Sequence, residues 1–249
     1  MADFSTMKLG RKAIKTDSRT LKLGRYLTPS LPPPPPSVDW TQGIADWGMM
    51  LNNTLGDCTI AACGHAVQVW TVNTGSEVTL PDATIEKYYE QWDGYVPGDP
   101  STDNGGIELD VLNDWKKDGF AGHQLIAFVD PRFANLTEIR QSIALFGGVY
   151  IGLAMPITAQ NQQVWDVVAN GGPDAAPGSW GGHAVFVPRY DENGFTCITW
   201  GQQLTMTVAF WNQYCDEAHT LLSQDWFDAK GSPSGFDQSQ LLTDLSAIR

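Results

Sequence analysis

Cysteine is scarce in this chain. There are four, at positions 58, 63, 197 and 215 of 249, and no two are spaced C-x-x-C. That excludes a zinc ribbon, a dithiol redox centre and a disulfide-built scaffold. No apolar run is long enough to cross a membrane. The uncharged stretch from Thr59 to Ser76 is interrupted by Gly64, His65, Gln68 and Asn73. The first residues lack the apolar segment of a secretory signal, so reduced thiols and an intracellular setting are expected. Basic residues run short after position 25. Residues 26–249 hold eight Lys/Arg against 26 Asp/Glu, which argues against a body that binds nucleic acid or an anionic membrane surface.

What is present divides the chain in two. Residues 1–25 carry seven Lys/Arg and two Asp/Glu and show neither helical nor strand periodicity. Lys8-Leu9-Gly10-Arg11 returns as Lys22-Leu23-Gly24-Arg25, and Pro32 to Pro36 form a stiff extended spacer. Residues 1–37 therefore read as a basic arm. It is suited to docking through residues 1–31 on an acidic surface, including a neighbouring copy or a larger assembly. Residues 38–249 read as the folded body, with ten Trp in the chain to fill its core.

Within the body, the spacing of apolar residues predicts helices over 58–71, 84–92 (capped by Thr84), 107–118, 136–146, 212–219 and 236–248. Strands are predicted over 124–129, 149–154, 184–187, 195–200 and 204–210, with a turn at Asp191–Gly194. Residues 158–180 read as a long polar loop. A helical half, roughly 38–122, thus precedes a strand-rich half, roughly 123–249, which predicts an α+β fold of two lobes.

The body is organised around residues 52–70, a tight loop running into an apolar helix. Asp57 is placed as N-cap, which puts Cys58 in the first turn. The free N–H groups and dipole of a helix N-terminus favour the reactive thiolate. A thiol of this kind needs a base, and His is the natural one. Cys63 and His65 read as packed core, His123 and His219 as surface. Asp103, Asp110 and Asp114 do not read as a cation site, and no metal or cofactor is expected.

The motifs of residues 38–249 resemble the papain-like cysteine peptidases. They run in order: Ser37-Val38-Asp39-Trp40, Leu55-Gly56-Asp57-Cys58-Thr59, Asn104-Gly105-Gly106, Gly181-Gly182-His183-Ala184-Val185 and Thr199-Trp200-Gly201. The resemblance implies a papain-like fold, with a helical lobe and an antiparallel, β-barrel-like lobe facing across a cleft. It implies Cys58 as nucleophile, His183 as general base and then acid, and Asn52 with the Cys58 N–H as oxyanion hole. Gly105, Gly106, Gly182 and Trp200 would contact a peptide or protein substrate. One departure stands out. The family's imidazole-orienting Asn falls on Ile198, which can neither donate nor accept. Two functions are therefore expected. One is a cysteine peptidase-type hydrolase of peptide or amide bonds. The other is a catalytically degenerate papain-fold protein that decorates or cements an assembly, such as a virus particle, through its arm.

Overall fold

The computed structural model describes residues 3–23, 33–227 and 234. The helix expected over 236–248 lies outside them, as do Gly24 and Arg25 of the second arm motif. Among the described residues no helix is long and apolar enough to cross a membrane.

The structure is an α+β fold. The arm ends in β1 (Leu21–Lys22), and β2 (Val38–Asp39) follows the proline run. Three helices come next: α1 (Cys58–Thr74), α2 (Asp82–Asp93) and α3 (Glu108–Asp118). Then the chain alternates: β3 (Leu125–Asp130), α4 (Leu136–Phe146), β4 (Val149–Met155), β5 (Val164–Trp165), β6 (Gly181–Tyr190), β7 (Gly194–Thr199), β8 (Gln202–Thr207), α5 (Val208–Tyr214) and β9 (Cys215–Ser223). Among the described residues the strands pair in the order β1-β3-β9-β4-β6-β7-β8-β5, with β2 added antiparallel to β6. The pairings are antiparallel except the short ones at the two ends, β1 with β3 and β5 with β8.

Helix α1 is central because its sequence offers no polar face. All fourteen residues from Cys58 to Thr71 are buried. It stops at Gly75, whose left-handed backbone (φ 101°) turns its N–H back to the carbonyls of Thr71 and Val72. Trp70, fully buried, donates its indole N–H to Phe146 O (3.0 Å) and packs on Trp115 and Phe186. This joins the helical lobe to the sheet. A second apolar cluster, built on Ile151, Leu153, Val185, Val187, Phe195 and Trp211, fills the strand-rich lobe.

Four local expectations are corrected. Helix α2 starts at Asp82 behind Pro81, two residues before the expected cap at Thr84. The polar segment 158–180 is not structureless: it holds 3-10 turns at Ile157–Asn161 and Gly172–Ala175 and the short strand β5. The strand expected to reach Phe210 ends at Thr207, whose side chain caps α5 by accepting from Phe210 N–H. The helix expected over 212–219 is mostly strand β9, which pairs with both β3 and β4. His219, expected at the surface, is therefore buried.

Candidate active site

The cleft has a helical wall and a strand wall. On the helical side, the ladder of α1 begins with Ile60 and Ala61 N–H donating to Asp57 O (2.8 and 3.0 Å). The N–H groups of Cys58 and Thr59 therefore precede it and are free of intrahelical partners. Asp57 is not the side-chain cap the sequence suggests. Its carboxyl makes no cap bond; instead Oδ1 accepts from Asn52 Nδ2 at 3.1 Å. Burial pushes the Asp57 carboxyl well above the usual carboxylate range. Asn52 Nδ2 also donates to Leu55 O (3.4 Å). The amide assigned to an oxyanion hole is thus engaged with its own loop in this state.

That loop is held by residues to which the sequence assigns no part in the site. Asp103 Oδ1 accepts from Gly56 N–H (2.9 Å) and from the Tyr89 hydroxyl (2.7 Å), and Tyr89 accepts in turn from Gly105 N–H (2.8 Å). One half-buried carboxylate–phenol pair therefore fixes the segment before Cys58 and the glycine segment together.

On the strand side, His183 sits on β6, fully buried. Its Nε2 lies 2.7 Å from Thr199 Oγ1, and its ring stacks on Trp200 with centroids 4.7 Å apart and planes at 17°. Thr199 thus makes the contact to the imidazole that Ile198 cannot. Successive strand residues face opposite ways, so Ile198 joins the apolar core while Thr199 meets the imidazole. Trp200 (φ 48°) and Gly201 (φ 70°) are the two central residues of the β7–β8 hairpin. Such a turn asks for two left-handed residues. A bulky Trp there is strained, and its stacking on His183 offsets the strain.

The two walls meet at Cys58. The Ala184 N–H points at its Sγ (3.4 Å), one residue along β6 from His183. No hydrogen bond joins Sγ to the imidazole: His183 Nδ1 is buried without a partner.

The N-terminal arm lies in the cleft between these walls. Gly106 N–H donates to Gly10 O (2.9 Å), Lys12 N–H to Gly106 O (2.8 Å) and Arg11 N–H to Gly182 O (3.0 Å). Trp200 Nε1 reaches Lys8 O (3.4 Å). Contact is so close that side chains are forbidden on both sides. A Cβ on Gly10 would fall 1.7 Å from Gly56 O, one on Gly105 1.7 Å from Gly10 O, and one on Gly182 2.3 Å from Arg11 O. Gly105, Gly106, Gly182 and Trp200, expected to contact substrate, all touch the arm. The basic arm, suited to docking on an acidic surface, is docked here on its own body.

Burial under the arm overrides the helix N-terminus. The Cys58 thiol is pushed up to about 12 by desolvation, against the pull of the Ala184 and Gly10 N–H groups. His183 is pulled down to about 3, first by burial and then by the Arg11 charge. In this closed state the pair is neutral thiol and neutral imidazole, not the thiolate that the helix terminus alone would favour.

A helical lobe and a strand lobe, with a cysteine at the start of the central helix and a histidine on the facing strand, can be compared with known proteins. Solved structures match along most of the chain. Xylellain, a cysteine protease from Xylella fastidiosa, superposes with a TM-score of 0.64 over 89% of this chain and 97% of its own, at 13% identity. The fold is papain-like. Procathepsin L 3 from the larval midgut of Tenebrio molitor gives a TM-score of 0.56 at 13% identity, covering 84% of this chain and 75% of its own. Bromelain from Ananas comosus, solved with the inhibitor E64, gives 0.54 at 13% identity over 76% and 99%. No protein-family model and no curated protein sequence matches the chain. At this identity the likeness establishes the papain-like fold alone.

Proposed function

We propose that this papain-like chain is a cysteine peptidase-type hydrolase of peptide or amide bonds, held latent by its own arm. One observation carries the reading: a peptide segment lies along the groove by backbone hydrogen bonds, with the Cys58 sulfur beneath it. A groove that accepts a backbone in this way is built for peptides of varied sequence. With the arm displaced and water readmitted, the desolvation that keeps Cys58 and His183 neutral is relieved. His183 Nδ1, without a partner in the closed state, is then the acceptor for the thiol proton. Sγ attacks the acyl carbon, the C–N bond breaks as His183 passes the proton to the leaving nitrogen, and water then hydrolyses the thioester and restores the thiol. The Cys58 N–H faces the developing oxyanion; Asn52 joins it by releasing Asp57.

A second reading is a catalytically degenerate papain-fold protein serving an assembly through its arm. The fully closed cleft and the engaged Asn52 amide favour it.

A peptidyl epoxide directed at thiols separates the two. On the hydrolase reading it labels Cys58 in the full chain carrying Gly10→Ala, whose added Cβ expels the arm. Labelling there drops at least tenfold on adding His183→Ala. Labelling of Cys58 no faster than a free thiol, with or without His183, leaves the structural reading in place.

A further inference from the structure

The backbone contacts between arm and cleft are indifferent to sequence, but one side-chain contact is not. Arg11, only 8% exposed, sends its guanidinium into a pocket of three carboxylates. Each nitrogen faces a different one: Nη2 lies 2.7 Å from Asp216, Nη1 3.2 Å from Glu217 and Nε 3.8 Å from Glu108. A planar fork addresses three acids at once in a way that a single ammonium does not. The floor is cut to this shape. A Cβ on Gly152 would fall 2.6 Å from Glu108 Oε1 and 2.8 Å from Arg11 Cζ.

The pocket also needs a cation. The Glu108 side chain is wholly buried, and neither of its oxygens has a hydrogen-bond partner. Glu108, Glu217 and His219 offer ligand atoms within 4.8 Å of one another. Without Arg11, the buried Glu108 and Glu217 would keep, among the described residues, His219 as their ion-pair partner, and Asp216 would lose its own. Leaving such a cluster uncompensated is costly. Arg11 is also next in sequence to Gly10, whose N–H faces the Cys58 sulfur. The pocket therefore reads the residue one step from the position above the nucleophile.

We infer that Glu108, Asp216 and Glu217 form a guanidinium-selective subsite of the cleft, and that peptides with arginine one residue from the position above Cys58 are the substrate class. Lys8-Leu9-Gly10-Arg11 is their resident mimic. The word substrate rests on the hydrolase reading; the selectivity of the pocket does not.

The test uses the full chain carrying Gly10→Ala and Arg11→Gln, which expels the arm and removes its guanidinium. A fluorescent peptide of residues 3–16 is titrated into it by anisotropy. The natural peptide is expected to bind at least tenfold more tightly than the same peptide with Arg11→Gln or Arg11→Lys. Adding Asp216→Asn and Glu217→Gln to the chain is expected to erase that preference. Equal binding of the three peptides, or no binding by a folded chain, overturns the subsite. If that receptor does not fold, the full chain carrying Arg11→Ala alone serves. Its melting temperature is expected to rise with N-acetylarginine amide and not with N-acetyllysine amide, and equal responses overturn the proposal. Peptidyl epoxides with arginine or leucine at the read position then address the substrate class, with arginine expected to label Cys58 at least tenfold faster. Equal labelling by both overturns that part. Arginine-selective binding without any labelling of Cys58 would sink the hydrolase reading and leave the subsite standing.

Discussion

The two walls of the cleft are built by different means. The helical wall places Cys58 by brute packing, in a helix buried on every side and tied to the sheet through Trp70. The strand wall places His183 by a hairpin, with one hydroxyl on the imidazole and a strained Trp against its face. The first arrangement is stiff because many contacts would have to fail together. The second hangs on two side chains. Changes to the helical wall should therefore cost stability, and changes to the strand wall should cost chemistry.

The largest effect is expected from Trp70→Ala. Loss of a fully buried indole should destabilise the chain by about 3–5 kcal/mol, read from the midpoint of urea unfolding. A loss below about 1 kcal/mol would mean the helical wall is not held by packing.

Next comes His65, buried in the same helix and pulled down to about 4 by desolvation. Because its folded value lies below its ordinary one, the unfolded chain takes up the proton first as pH falls. The stability it contributes is full above about pH 6.5 and is lost as pH drops through about 4, by roughly 3 kcal/mol. Asp93, raised to about 6 by burial, works in the opposite direction, so the comparison must be differential. His65→Gln should lose less stability than the natural chain between pH 7.5 and pH 4. Parallel losses would contradict the assignment.

A smaller effect is expected on the strand wall. In the Gly10→Ala chain, Thr199→Val should slow epoxide labelling of Cys58 on the order of tenfold, well short of the loss from removing a charged orienter. Its stability should change by only about 1 kcal/mol. A large stability loss with unchanged labelling would reverse the contrast between the walls.

How far the sequence disclosed this molecule follows the same division. Helices α3 and α4 are legible because each carries a regular apolar period, and α1 and strand β4 because each is a continuous uncharged run. Strand β9 is not. Asp216, Glu217 and His219 break its apolar run, and what permits them inside is Arg11, about two hundred positions earlier in the chain. The arm has no period because it is seated as an extended segment across the body, with isolated side chains such as Phe4 and Leu23 reaching the core. The orienting hydroxyl of Thr199 was hidden because a motif fixes the position of the role at Ile198, whereas strand alternation turns that side chain to the core. The Asp103–Tyr89 pair joins residues fourteen apart, across a loop with no pattern of its own. The sequence offers Asn52 as an amide donor near Cys58, but its bond to Asp57 depends on that carboxyl being buried, which no local pattern announces.

The account stands on the arm sealing a chemically competent thiol. The most direct check is the rate of Cys58 alkylation by iodoacetamide against pH, with the modified peptide identified by mass, in the natural chain and in Gly10→Ala. With the thiol held at about 12 under the arm, the natural chain should be inert at pH 8. The variant should react there at least about a hundredfold faster, as a re-solvated thiol at a helix N-terminus does. The same slow rate in both chains would contradict the account.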